Sequence, residues 1–257
     1  MSMQHVLVTR DGAFVTVTMN RPERRNALSL GHLRELRRAF TEVGATDARG
    51  VILAGNGPVF SAGHDFADML DADRAAVHAL LLECTELMRT MQSIPQVVVA
   101  RVHGLATAAG CQLVATCDLA VAAESAGFAA PGGKGGWFCT TPMVAIGRVL
   151  PRKQALELAL TGDTIDARTA LAWGLVNQVV PDADLEQATR QLLMRATRGS
   201  AASKAIGKRA FYAQIDQPLA QAYALAVEAM ADASQIPDAK EGMRAFLGKR
   251  PPRWDKG

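Results

Sequence analysis

The chain has 257 residues, 49% of them hydrophobic and 21% charged, with a net charge of +3. That length buries a full core and holds one or two domains. So mild a positive balance, with no Lys/Arg stripe and no set of stacking aromatics, excludes a nucleic-acid reader. No apolar run approaches the ~20 residues that a membrane span needs.

Cys84, Cys111, Cys117 and Cys139 form no CxxC pair, and the histidines show no ligand spacing. A metal site or disulfide framework is therefore not expected, and reduced, buried thiols of a cytoplasmic protein are. Met1-Ser2-Met3-Gln4-His5 lacks the charged and apolar regions of a secretory leader.

In chain order, Val6-Leu7-Val8 and Phe14–Met19 read as strands joined by a hairpin at Asp11-Gly12. The polar turn 20–26 carries Arg24 and Arg25. Ser29 is an N-cap for a helix with apolar positions Leu30, Leu33, Leu36, Phe40 and Val43. A strand over 51–54 follows, then a long helix with Val77, Leu80, Leu81, Cys84, Leu87, Met88 and Met91 on one face, ended by Pro95. Strands are predicted over 97–102 and 118–122, with a helical turn or two over 111–115 between them. Near-continuous apolar strands alternating with helices argue for a mainly parallel sheet covered by helices. Asp166 and Gly174 bracket a helix as cap and stop, 175–180 reads as a last strand, and helices cover 182–198, 201–213, 216–233 and 237–247. The change of character near 195–200 divides the chain into a core, 1–197, and an Ala-rich helical segment, 198–257. Such a segment is expected to dock on a partner surface.

Two stretches, Phe60–Phe66 and His103–Leu113, each follow an apolar β-branched run and lead into a helical pattern through small residues. Small residues at such a bend let a ligand approach the backbone closely. The first free N–H groups of a helix then point at it. Two bends facing each other aim two donors at one oxygen, the geometry of an oxyanion hole. Other sites fail on spacing. Gly132–Gly136 lacks a glycine at Phe128 and a Ser or Thr after Lys134, so it is no phosphate loop. No G-x-G-x-x-G turn supports a dinucleotide fold.

Phe60-Ser61-Ala62-Gly63-His64-Asp65, the glycine turn through Leu113 with Cys117-Asp118, Asn20-Arg21-Pro22 and Asn26-Ala27-Leu28 together resemble the crotonase family, the enoyl-CoA hydratase/isomerase superfamily. The middle (Pro151–Gly162 and Ala170–Val180) and the end (Asp238, Glu241, Gly242, Phe246, Lys249, Arg250) fit the same family. Gln112 and 128–160 set the chain nearest to one branch of it. The resemblance implies an α/β fold, the crotonase spiral of ββα units with a C-terminal helical segment, assembled as a homo-trimer or a hexamer of paired trimers. It implies a coenzyme A thioester as substrate, in fatty-acid or related acyl-CoA metabolism, and no resident cofactor.

By the same resemblance, the thioester carbonyl lies between the backbone N–H groups of His64 and Ala109. CoA contacts fall on Arg25 and Ala27, on Ala62, Gly63, Asp65 and Phe66, and on Lys249; Arg24 and Arg25 suit phosphate by charge. The family's hydratases use two glutamates, and here those positions hold Gln112 and Gly132. An amide holds a water by hydrogen bonds but transfers no proton as a carboxyl does, so little ordinary hydratase activity is expected. Isomerisation, thioester hydrolysis or acyl-CoA binding without catalysis stay open. Other proton carriers have ordinary readings beside the functional ones: Asp68 as a helix cap, the His64 imidazole as a neutral neighbour, Cys139 as an inert thiol. Trp137 and Phe138 shape an acyl pocket or core, and Glu83 and Glu86 form a solvated helix face.

Overall fold

The computed structural model describes residues 3–254. Met1, Ser2 and residues 255–257, the outer ends of the two segments read from the sequence, lie outside them. The elements run β1 (Val6–Asp11), β2 (Phe14–Met19), α1 (Leu30–Gly44), β3 (Gly50–Gly55), α2 (Arg74–Ser93), β4 (Val97–Val102), β5 (Leu105–Thr107), α3 (Ala109–Thr116), β6 (Leu119–Ala123) and β7 (Gly127–Ala129). There follow α4 (Pro142–Val149), α5 (Arg152–Thr161), β8 (Ile165–Asp166), α6 (Ala167–Trp173), β9 (Gln178–Val180), α7 (Leu185–Ala196), α8 (Ala201–Gln214), α9 (Leu219–Ala233) and α10 (Pro237–Leu247).

The main sheet has the order β1-β2-β3-β4-β6-β9. Only the β1–β2 hairpin is antiparallel; every other pairing in it is parallel. Its inner strands β3, β4 and β6 are buried on both faces, which is why they read as unbroken apolar runs, whereas the edge strand β1 is largely exposed. Val51, Leu53, Val98, Ala100, Ala120 and Ala122 join the core under α1 and α2. Their neighbours Ile52, Ala54, Val99, Val121 and Ala123 point the other way, onto Leu185 and Leu193 of α7. A smaller sheet, β5-β7-β8, stands beside it.

The caps hold as expected. Ser29 Oγ accepts from His32 N–H at 3.1 Å, and Asp166 Oδ1 accepts from Thr169 N–H at 2.7 Å. Gly174, at φ 91°, ends α6. The last core strand is shorter than expected: Leu175 and Val176 are buried but unpaired with a strand, and β9 starts at Gln178. Asn177 explains the difference. Its Oδ1 accepts from Ala120 N–H and its own N–H reaches Ala120 O, both at 2.8 Å. A side chain thus stands in for the first rung of the ladder. Likewise α9 starts at Leu219 rather than near 216, because Pro218 disfavours helix in the residue before it.

α8 is held on the core by polar groups. Lys208 Nζ pairs with Asp118 Oδ2 at 2.8 Å and donates to Met91 O and Gln96 O. Tyr212 O–H donates to Asp118 Oδ1 at 2.8 Å. Arg49 donates to Thr197 O and Gly199 O at the junction of α7 and α8. α9 buries none of its residues, and Leu219, Tyr223, Met230, Phe246 and Leu247 of α9 and α10 are exposed.

Candidate active site

Both small-residue bends leave the carboxyl ends of parallel strands, β3 and β4, where open α/β sheets place their ligands. They are pinned together by backbone bonds. Ser61 N–H donates to Leu105 O at 3.1 Å, and Thr107 N–H returns to Ser61 O at 3.0 Å. Asn26, fully buried, anchors the approach to the first bend: its amide nitrogen reaches Asn56 O (2.8 Å), Val59 O (3.0 Å) and Phe60 O (3.1 Å). Its Oδ1 accepts from Arg21 N–H. Leu28 N–H to Gly63 O (2.8 Å) and Asp65 N–H to Leu28 O (3.2 Å) bracket His64.

The glycines at the bends answer to space. Gly63 sits at φ 86°, and a Cβ there would lie 3.0 Å from Ala108 Cβ and 3.3 Å from Ala109 N. A Cβ on Gly110 would lie 2.4 Å from Ser61 O. The bends therefore touch, backbone on backbone. Ala108 takes φ 48°, rare for a residue with a side chain. Its strained turn leaves Ala109 as the first residue of α3. Among the described residues neither His64 N–H nor Ala109 N–H donates to a protein acceptor. For Ala109 that is the ordinary state of a first helical residue.

Beside them opens a cavity of about 610 Å³, lined by Ala62, His64, Phe66, Leu81, Thr107, Ala108, Pro131, Gly132, Lys134, Gly135 and Trp137 to Pro142. Phe66 and Trp137, both exposed, stand 6.4 Å apart at its edge. The 132–136 turn folds over it, closed by Trp137 N–H to Gly132 O at 2.7 Å. Leu81 and Pro142 were not singled out for the site. Leu81 carried only the helical period of α2, a signal that does not tell a core face from a cavity wall.

The structure sorts the remaining candidates by what holds them. Asp68 Oδ2 accepts from Leu30 N–H at 2.9 Å, so it caps α1. Asp65 is buried, accepts from Ala67 N–H and pairs with Arg21 and Arg24, each at 3.3 Å. Arg24 is thus tied by one end yet half exposed, while Arg25 is exposed at φ 51° with its carbonyl on Ala62 N–H. Ala27 is buried and its carbonyl accepts from Arg21. Of the pair expected on a solvated helix face, Glu86 is exposed and pairs with Arg89 along α2, but the Glu83 side chain is only 15% exposed because it bridges from α2 to Arg37 of α1. Lys249 lies past α10, exposed, and does not line the cavity of its own chain.

The two positions where a carboxylate was sought are occupied otherwise. Gln112 is 5% exposed, and its Oε1 accepts from Cys84 Sγ at 3.9 Å, between α3 and α2 rather than in the cavity wall. Gly132 has no room for any side chain: a Cβ would lie 2.1 Å from Trp137 O and 2.8 Å from Cys139 Sγ. Cys139 Sγ accepts from Gly132 N–H at 3.3 Å, and burial pushes its thiol pKa up. The His64 ring nitrogens are both buried without a hydrogen-bond partner. Burial lowers the His64 pKa to about 4, and the Leu28 backbone opposes this only in part, short of hydrogen-bond geometry. The imidazole is therefore neutral near pH 7.

Residues 9–257 match the family model described as enoyl-CoA hydratase/isomerase. The mouse mitochondrial enoyl-CoA hydratase domain-containing protein 3 is 45% identical over 240 residues, covering 93% of this chain and 80% of that protein. This is the branch to which Gln112 and 128–160 pointed. The solved structure of the human protein of the same name superposes with a TM-score of 0.93 at 39% identity, over 98% of this chain and all of that one. That of an enoyl-CoA hydratase from Mycobacterium smegmatis gives 0.94 at 43% identity, over 98% and 99%. The vertebrate relatives' names carry the word mitochondrial; in this chain, among the described residues, no helix is long and apolar enough to cross a membrane. The fold is the crotonase fold, and the chain belongs to the enoyl-CoA hydratase/isomerase family.

Proposed function

We propose that this protein binds an acyl-CoA thioester and polarises its carbonyl between the backbone N–H groups of His64 and Ala109. The observation that carries this is the pair of N–H groups without protein acceptors, on two bends in van der Waals contact, beside a largely apolar cavity. Electron density that moves onto the thioester oxygen is met by two fixed donors, and each such donor contributes ~3–4 kcal/mol to the transition state. The family membership supports a hydratase/isomerase-type enzyme working through a thioester enolate.

The CoA moiety runs over the 25–27 turn and the 62–66 bend, with Arg24 and Arg25 toward its phosphates. Coenzyme A is substrate here, and no resident cofactor takes part. Segment 198–257 assembles the chain as a trimer or a pair of trimers; the exposed apolar side chains of α9 and α10 support this. Lys249 then reaches CoA phosphate from that segment. The four free, buried thiols fit a cytosolic protein. Without a carboxylate at 112 or 132, the rival is an acyl-CoA-binding protein that turns nothing over.

Turnover of a thioester panel that includes crotonyl-CoA separates the two. Turnover lost on His64→Pro, which deletes one donor, supports the enzyme. Tight binding without turnover across the panel supports the binder. Absence of any CoA-thioester affinity refutes both.

A further inference from the structure

We propose that the site takes thioesters bearing a carboxylate on Cα, of the malonyl type, and releases that carboxylate as CO2. The inference rests on the acyl-thioester reading and specifies its chemistry. An enolate at the two N–H groups is reached by removing a proton from Cα, by adding a nucleophile at Cβ, or by losing a group from Cα that leaves its electron pair behind. The first two routes need a positioned base. The third does not.

The carboxylates nearest the bends are engaged: Asp65 by two arginines and Asp68 by the end of α1. Gly132 is filled by Trp137 O and Cys139, and Gln112 turns to Cys84. The His64 ring belongs to the cavity lining, but both its nitrogens are buried without a partner and burial lowers its pKa to about 4, which makes it a weak base. Lys134 Nζ is held outside by Asp163 at 3.1 Å, so its ammonium does not face the reacting carbon. The cavity wall is mainly apolar, with Leu81, Pro131, Trp137 and Phe138, and the threonines in it, Thr107, Thr140 and Thr141, carry hydroxyls that are no base.

An apolar wall of this kind removes water from a substrate carboxylate, while the transition state, whose charge has moved toward the thioester oxygen, meets the two N–H donors instead. The bond between Cα and the carboxyl carbon breaks, and its electron pair forms the Cα–C1 double bond. The carbonyl pair moves onto the oxygen at His64 and Ala109, and CO2 leaves. Water then gives Cα a proton, the carbonyl re-forms, and hydroxide combines with the solvent's proton pool. No oxidant or metal enters the balance.

The test incubates the full chain with methylmalonyl-CoA, malonyl-CoA and crotonyl-CoA, following the thioesters by mass spectrometry in H2O and D2O. Calorimetry with butyryl-CoA runs alongside to report thioester binding. Expected are CO2 release from a carboxylated thioester, one solvent deuterium at Cα of the product, and a rate lowered about 10²–10³-fold by His64→Pro. Trp137→Lys, at a half-exposed position, places a cation against the carboxylate. It is expected to lower both kcat and KM, the signature of ground-state strain removed. Butyryl-CoA binding with no CO2 release overturns this proposal and leaves thioester binding standing, as does crotonyl-CoA hydration without decarboxylation. A faster Trp137→Lys variant overturns the desolvation step. No butyryl-CoA binding overturns the thioester reading itself.

Discussion

Substituting Gly132 tests whether the cavity wall is as tightly fitted as its backbone indicates. Gly132 does not occupy a left-handed conformation, so alanine is tolerated there by the backbone and resisted by space alone. Its Cβ would meet Trp137 O at 2.1 Å, Cys139 Sγ at 2.8 Å and Cys139 N at 2.9 Å. Two of these are backbone atoms that no rotamer change removes. Overpacking of this kind costs ~1–3 kcal/mol. Moving the 137–139 backbone away also weakens Trp137 N–H to Gly132 O or Gly132 N–H to Cys139 Sγ, a further ~1 kcal/mol. For a chain of this size the sum, about 2–4 kcal/mol, lowers Tm by roughly 5–15 °C. Trp137 lines the cavity, so its fluorescence reports the same shift. Gly132→Glu is expected to behave as Gly132→Ala does and to give no hydratase activity, because the carboxylate arrives in a displaced loop. A Gly132→Ala protein that melts within about 1 °C of the parent with an unchanged tryptophan spectrum refutes the packing account, and Gly132→Glu with strong crotonyl-CoA hydration refutes the chemical one.

Other expectations follow from single contacts. Lys208→Met strands Asp118 and the carbonyls of Met91 and Gln96, and is expected to cost ~3–5 kcal/mol in urea unfolding; adding Asp118→Asn should recover part of that. Asn26→Ala leaves a buried N–H, Arg21's, and the carbonyls at 56, 59 and 60 short of a partner. A loss of ~2–4 kcal/mol is expected, with thioester affinity falling because the first bend loses its anchor. Burial lowers both His32 and His64 to about 4 from 6.5. Between pH 6.5 and 4 the unfolded chain therefore binds more protons than the folded one, so stability is lost as pH falls through that window. The slope approaches ~1.4 kcal/mol per pH unit for each histidine. His64→Asn should remove its share of the slope in chemical denaturation, and an unchanged slope would show that the ring is solvated. Gly63→Ala, at φ 86° and against Ala108, is expected to abolish thioester binding measured by calorimetry.

How much of this was legible in the amino-acid order depends on the range of the interaction. Strand and helix positions were readable because periodicity and caps are local: Ser29, Asp166 and Gly174 act within four residues of where they stand. The exceptions at Asn177 and Pro218 are informative in opposite ways. Pro218 is a local breaker that can be read, whereas the Asn177–Ala120 exchange joins residues far apart in the chain and leaves no periodic trace. The two bends were visible as small residues after apolar strands, but their contact was not. It takes Gly110 beneath Ser61 O and Gly63 against Ala109 N to bring two donors to one place. The same holds for the proton carriers. Asp68 and Asp65 are acidic residues near a helix start in sequence; only the fold shows one capping the end of α1, a helix that precedes it in the chain, and the other pinned by Arg21 and Arg24. Gly132 carries the clearest lesson. As a letter it reads as an absent side chain, a position that a glutamate would restore. In the fold that space belongs to Trp137 O and Cys139, so the surrounding loop is built around the glycine, and the site's chemistry must begin from a cavity wall in which a carboxylate has no place to stand.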